Sequence, residues 1–125
     1  MPNEAIFGHT HHMENRRYMK RKSLIEWETI MAIVRKEIEP REYSGDLAGA
    51  KTILDKLPQE DGFVLKKWGD ILFKEAQENT DLTAAQKALF KAKAAEAAFP
   101  LARYKHEARQ LGKKIKKWID ERSTS

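Results

Sequence analysis

The sequence contains no cysteine among its 125 residues, and this absence excludes disulfide bonds, thiolate zinc sites and thiol catalysis. No apolar run approaches the length of about 18 residues that a membrane-spanning helix needs. The first residues also lack the charged segment followed by an apolar stretch that marks a secretory signal peptide. We therefore expect a soluble, cytoplasmic protein that makes no membrane contact.

Sequence patterns that carry catalysis are missing as well. There is no glycine-rich phosphate loop, no HExxH zinc motif and no nucleophile elbow. The histidine cluster of His9, His11 and His12 has only His106 as a further imidazole, whereas a structural zinc site needs a full ligand set held by a fold. We expect a non-catalytic protein with no cofactor and no metal site.

Hydrophobic residues recur at the three- and four-residue spacing of an α-helix along most of the chain. Pro40 is predicted to end the first helix, while Pro100 either kinks one long helix or separates two. Because no segment shows the alternation of a β-strand, the pattern predicts an all-α, compact bundle of about five amphipathic helices. The five apolar stripes lie within residues 24–38, 47–57, 64–76, 82–99 and 101–118.

The stripes also define the domain organisation. We predict a flexible N-terminal tail over residues 1–12, a helical bundle domain over residues 13–121 and a disordered C-terminus over residues 122–125. Each of three stripes contains one tryptophan, and large rings at such positions are typical of core anchors. These tryptophans are Trp27, Trp68 and Trp118.

One pattern occurs twice in the middle of the chain. Asp46-Leu47-x-x-Ala50-x-x-x-Leu54-x-Lys56 recurs 35 residues later as Asp81-Leu82-x-x-Ala85-x-x-x-Leu89-x-Lys91. With the proline turn and the Trp68-Gly69 pair between them, residues 45–91 resemble a tetratricopeptide unit. The resemblance implies helix-pair packing in the middle of the bundle. Ordinary bundle helices that begin with the same cap are the alternative, since no third unit follows.

Charge is sorted along the chain. Residues 1–22 carry five basic and two acidic side chains (+3), residues 23–81 carry eight and thirteen (−5), and residues 82–125 carry eleven and four (+7). An acidic middle therefore lies between two basic ends. A distribution of this kind can attract a polyanion or orient a partner.

The two basic ends are the candidate contact sites for a nucleic acid or an acidic protein surface. Cations of the last helix have three interpretations: a solvated face, contact with a polyanion, or pairing with the acidic middle through Glu37, Glu39, Asp70, Glu75 or Glu78. The candidate contact residues are Arg16, Arg17, Lys20, Arg21 and Lys22 near the N-terminus, and Arg103, Lys105, Arg109, Lys113, Lys114, Lys116 and Lys117 in the last helix.

The sequence thus favours a small, non-catalytic helical interaction or adaptor protein that uses basic surfaces to contact a polyanion or an acidic partner. The first alternative is a direct, sequence-nonspecific nucleic-acid-binding protein of the phage-, plasmid- or chromosome-associated kind. The second alternative is a protein-only scaffold with a groove that binds a partner helix.

Overall fold

The chain divides into two compact units, Met1–Ala32 and Ile33–Ser125, and the computed structural model describes residues 26–123. In the first unit, residues 26–32 are described, and they are α-helical. The predictions for the tail 1–12 and the basic segment 16–22 lie outside the described residues. Of the C-terminus predicted to be disordered over residues 122–125, residues 122 and 123 belong to the last helix, and residues 124–125 lie outside the described residues.

Helices make up most of the described part of the second unit. A π-helical segment, Val34–Ile38, comes first, and no strand occurs between residues 26 and 123. The prediction of an all-α bundle of about five helices is therefore confirmed. The α-helices are α1 (Glu39–Tyr43), α2 (Leu47–Leu54), α3 (Gly62–Asn79), α4 (Leu82–Ala98) and α5 (Ala102–Ser123).

An aspartate side chain caps the N-terminus of each of α2, α3 and α4. The carboxylates of Asp46, Asp61 and Asp81 accept hydrogen bonds from the backbone N–H three residues later, at 3.0, 3.2 and 3.1 Å. Such caps satisfy N–H groups that have no partner inside the helix. Because α2 has 8 residues and α4 has 17, the repeated pattern corresponds to a shared cap rather than to helices of equal length.

The prediction that Pro40 ends a helix is wrong. The N–H of Glu39 bonds to the carbonyl of Val34, five residues earlier, so the preceding turn is π-helical. This wider turn places Pro40 in the first turn of α1, where its missing N–H needs no helical partner. Helical backbone therefore continues through the proline to Tyr43.

The main core lies between α3, α4 and α5. Small residues on α4 allow the close approach, since Ala85, Ala88 and Ala92 are fully buried against the neighbouring helices. A Cβ atom at Gly69 of α3 would lie 3.1 Å from Cδ2 of Leu111 on α5 and 3.4 Å from the Ala88 carbonyl oxygen. A glycine at this crossing therefore lets three helices meet.

The segment around Pro100 separates α4 from α5, which decides between the two alternatives left open by the sequence. Phe99 adopts an extended backbone (ψ 130°) immediately before the proline, as steric contact with the proline ring favours. Its ring is buried and packs edge-on against Phe63, with ring centroids 5.0 Å apart. Leu101, which was predicted to begin the buried stripe of the last helix, instead lies before that helix and is 49% exposed.

Helix α5 packs through a shorter seam than its sequence predicts. Ala108, Ile115 and Trp118 are buried, and the Trp118 ring makes an edge-on contact with Phe73 at a centroid distance of 5.9 Å. Leu111 lies in the same seam but is only half-buried. The core role predicted for Trp118 is confirmed, whereas Trp68 is half-buried and donates a hydrogen bond from its ring nitrogen to a surface glutamine.

Candidate basic interaction surface

The contact between α4 and α5 is marked by one acidic residue, Glu96. Its carboxylate accepts a hydrogen bond from Nε of Arg109 at 2.8 Å, and its backbone carbonyl accepts one from Nζ of Lys105 at 2.9 Å. Lys93 precedes Glu96 by three residues, while Lys113 and Lys116 follow Arg109 by four and seven. Helical geometry places residues at these spacings on one face. Because the helices run antiparallel through a short turn, Lys93, Lys113 and Lys116 border the same groove.

We define the α4–α5 basic surface as Lys93, Lys113, Lys116 and Lys117. All four side chains are exposed. Within residues 26–123, none of them has a carboxylate oxygen within 4.0 Å. The described part of the chain therefore supplies no acidic partner for these cations.

The remaining predicted contact residues of α5 have intramolecular neighbours. Lys114 lies over the Phe73 ring, with its Nζ atom 5.9 Å from the ring centroid. Arg103 donates a hydrogen bond to the Tyr104 hydroxyl at 2.6 Å. Together with the hydrogen bonds from Lys105 and Arg109 to Glu96, these contacts distinguish α5 cations that have a partner within the fold from those that have none among the described residues.

Acidic side chains of the middle segment find their partners elsewhere. Glu75 pairs with Lys51 at 2.8 Å, and Glu39 and Asp70 both pair with Lys67, at 3.2 and 3.5 Å. In the described part of the chain, no side chain of this segment forms an ion pair with α5. The described residues therefore do not show the pairing of α5 cations with acidic side chains of the middle segment, although α5 packs on α3 through apolar contacts.

The outer face of α4 was not singled out by the sequence. Phe90 is 71% exposed there, between Lys87 and Lys93, which lie three residues to either side of it. The signal in the sequence is that Phe90 falls outside the apolar stripe of its own helix. A large aromatic residue off the stripe, with a lysine one turn away on each side, marks a surface position.

A buried cluster of charges joins α1 to α3, and the sequence pattern did not predict it. Nζ of Lys67 lies 2.9 Å from Oε1 of Glu42, and the second Glu42 oxygen lies 2.9 Å from Nζ of Lys74. Both Glu42 and Lys67 are buried. The cluster holds a short helix to a long one, and its charges have partners within the fold.

The electrostatics of this cluster favour the ionised forms. Burial acts to raise the pKa of the Glu42 carboxyl, but hydrogen bonds from Lys74 and Lys67 outweigh burial and lower that pKa below its ordinary value of 4.5. Burial likewise acts to lower the pKa of Lys67, and the carboxylates of Asp70, Glu42 and Glu39 instead raise it above 10.5. Both ions are therefore charged at neutral pH.

This arrangement predicts a loss of stability in acid. A carboxyl with a lowered pKa stabilises the fold above its unfolded value of about 4.5 and loses that contribution as pH falls through the folded value. Burial raises the pKa of the Asp61 carboxyl, so the contribution of Asp61 to stability changes with pH in the opposite direction. We expect the difference in unfolding free energy between the natural chain and Glu42→Gln to shrink from about pH 7 to about pH 3, because the carboxyl becomes neutral in acid.

Urea unfolding followed by circular dichroism at several pH values measures this difference. Glu78→Gln, at an exposed position, is the matched control and should show no such pH dependence. A Glu42→Gln difference that stays constant through the acid range would show that the Glu42 carboxylate is not held by Lys67 and Lys74.

Other kinds of site have no support among the described residues. Within residues 26–123, no group of three or more histidine, aspartate or glutamate side chains is arranged to hold a metal ion. None of the helices in that range combines the length and the apolar character needed to cross a membrane. The basic segment of Arg16, Arg17, Lys20, Arg21 and Lys22 lies outside the described residues, as do His9, His11 and His12.

Comparison of the chain with protein-family models, curated proteins and solved structures finds no match. The function is therefore inferred from the geometry and charge of the surface itself.

Proposed function

We propose that this chain is a non-catalytic interaction protein, and that the α4–α5 basic surface contacts a polyanion or an acidic partner. The observation that carries the proposal is that ion pairs among the described residues involve the acidic middle segment but not the lysines of the α4–α5 basic surface. Acidic residues of the middle segment pair with lysines of the same segment, while Lys93, Lys113, Lys116 and Lys117 remain exposed and unpaired within the described residues. An excess of positive charge on one face attracts negatively charged partners.

A solvated lysine face would carry the same residues, so the proposal needs a test that separates binding from solvation. Lysines near a helix C-terminus interact favourably with its dipole whether or not a partner binds. This explanation accounts for none of the four lysines, because each lies before the last turn of its helix. Convergence of cations from two helices is what favours a binding surface.

We expect the double variant Lys113→Gln/Lys116→Gln to bind duplex DNA or polyglutamate more weakly than the natural chain. The logarithm of the affinity for duplex DNA should fall less steeply with salt, by roughly 0.9 units for each phosphate that the variant no longer neutralises. Titrations at about 50 mM and about 200 mM salt, followed by fluorescence anisotropy, measure both effects. The matched control is Lys36→Gln/Lys56→Gln, which removes two exposed lysines of the acidic segment and changes the net charge equally.

Three outcomes of this titration would change the proposal. Equal weakening by the two double variants would mean that only net charge matters, and would overturn the assignment to the α4–α5 basic surface. Absence of binding to both polyanions at the lower salt concentration would overturn the proposal. Binding to duplex DNA without binding to polyglutamate would favour the direct nucleic-acid-binding protein that the sequence left as an alternative.

The N-terminal basic segment is a second predicted contact site for the same polyanion or acidic partner. Arg16, Arg17, Lys20 and Arg21 remain predicted contact residues, and replacing all four with serine should further flatten the salt dependence without changing the thermal melt.

A further inference from the structure

The outer face of α4 carries a partly exposed apolar strip. Phe90, Ala94 and Ala97 follow one another at spacings of four and three residues, so they form one line along the helix. Phe90 is 71% exposed, Ala97 is exposed, and Ala94 between them is half-buried. Exposed apolar strips of this kind mark interaction sites more often than isolated surface residues do.

Cations flank this strip on both sides. Counted at about 100° per residue from the Phe90–Ala97 line, Lys87 lies on one edge of the strip and Lys93 on the other. Both lysines are exposed, and neither has a carboxylate partner among residues 26–123. Beyond Lys93, the α4–α5 basic surface continues with Lys113 and Lys116. The strip is therefore apolar along its centre and positive along its edges.

We propose that this face of α4 docks an amphipathic helix of a partner protein, with an apolar stripe seated on Phe90, Ala94 and Ala97 and acidic side chains facing Lys87 and Lys93. The inference rests on the proposed function and adds to it an apolar anchor and a partner class. Small residues at Ala94 and Ala97 let a second helix approach closely, while Phe90 supplies a large apolar contact. The residues from Lys87 to Ala98 span roughly 16 Å, about three turns of a docked helix.

Charge complementarity favours an acidic amphipathic helix over a second copy of the chain, and the shape of the strip favours it over a single-stranded nucleic acid. A second copy of the chain that paired α4 with α4 would bring Lys87 and Lys93 against lysines, which like-charge repulsion disfavours. A single-stranded nucleic acid could stack a base on Phe90, but the strip continues over alanines, which offer no aromatic face for the next base. An acidic amphipathic helix matches both the apolar centre and the positive edges.

The test uses the full chain and a stapled helical peptide with a leucine–alanine stripe and glutamates on both flanks. Two companion peptides separate the contributions: one has serine in place of the apolar stripe, and the other has lysine in place of glutamate. We expect the first peptide to bind in the micromolar range, and Phe90→Ala to weaken it by about tenfold or more, as loss of an aromatic anchor usually does. Both companion peptides should bind at least about tenfold more weakly than the first peptide.

Tyr43→Ala is the matched control, because Tyr43 is an equally exposed aromatic residue, at 72%, on α1. It should leave peptide binding unchanged. If Phe90→Ala has no more effect than Tyr43→Ala, or if the serine-stripe peptide binds as well as the first, the docking inference is overturned. The proposed function would survive that result provided that Lys113→Gln/Lys116→Gln still weakened polyanion binding.

Two further measurements test the alternative ligands of this face, which are a second copy of the chain and a single-stranded nucleic acid. A sedimentation shift from monomer to dimer that Phe90→Ala abolishes would overturn the inference in favour of a second copy. Loss of affinity for a single-stranded oligonucleotide in Phe90→Ala, with peptide binding intact, would overturn it in favour of a base-stacking site.

Discussion

Replacing Lys67 with methionine should lower the unfolding free energy by about 3 kcal/mol, near the lower end of the range for breaking a buried ion pair. Methionine keeps most of the volume of the lysine stem but removes the ammonium that lies 2.9 Å from Glu42. The Glu42 carboxylate would stay buried with Lys74 as its remaining close cation. Because Lys74 is partly exposed, it compensates the buried charge only in part. A chain of this size has a total stability of only about 5–15 kcal/mol, so the loss should be easy to measure.

The double variant Lys67→Met/Glu42→Leu tests the physical reason for this cost. Replacing a buried ion pair on both sides with apolar residues of similar size is often close to neutral. We therefore expect the double variant to recover most of the stability that Lys67→Met loses, in urea unfolding followed by circular dichroism. Lys56→Met, at an exposed site, should stay within about 0.5 kcal/mol of the natural chain. A double variant less stable than Lys67→Met would show that the cluster contributes more than the mutual compensation of two buried charges.

The same cluster marks the limit of what hydrophobic periodicity can predict. Periodicity predicted the long helices well, because α3, α4 and α5 bury stripes at helical spacing. It could not predict that Lys67 of α3 meets Glu42 of α1, since the two residues are 25 positions apart and each looks like an ordinary surface charge. The π-helical turn before Pro40 also changes the register of the residues that follow it, Glu42 among them, and a hydrophobic pattern does not encode that change.

The candidate surface, too, could be predicted from the sequence only in part. The lysines of α5 could be identified from the sequence, because they fill the positions outside its apolar stripe. The pattern could not separate Lys113 and Lys116, which are unpaired within the described residues, from Arg109, which Glu96 holds. That distinction follows from the antiparallel packing of α4 on α5. Phe90 was not predicted for a related reason: the alanines of α4 face the core, so the one large aromatic residue inside this helix faces solvent.

Replacing Ile115 with alanine should lower the unfolding free energy by about 2–5 kcal/mol, the usual cost of a large-to-small change at a well-packed position. Ile115 is fully buried in the cluster that includes Phe73 and Trp118. The change leaves a cavity at the place where α5 meets α3 and α4. Leu111→Ala should cost less than Ile115→Ala, because Leu111 is half-buried and part of its side chain is already in water.

Lys117→Ala is the control two residues away, on the exposed side of the same helix, and it should change stability by no more than about 0.5 kcal/mol. Chemical unfolding of all three variants under one set of conditions gives the comparison. The order Ile115, Leu111, Lys117 is what a docked α5 requires, because each step moves further out of the core. If Ile115→Ala were as harmless as Lys117→Ala, α5 would not be packed on the bundle. Its lysines would then belong to an arm that orders only on a partner, and direct nucleic-acid binding would become the stronger proposal.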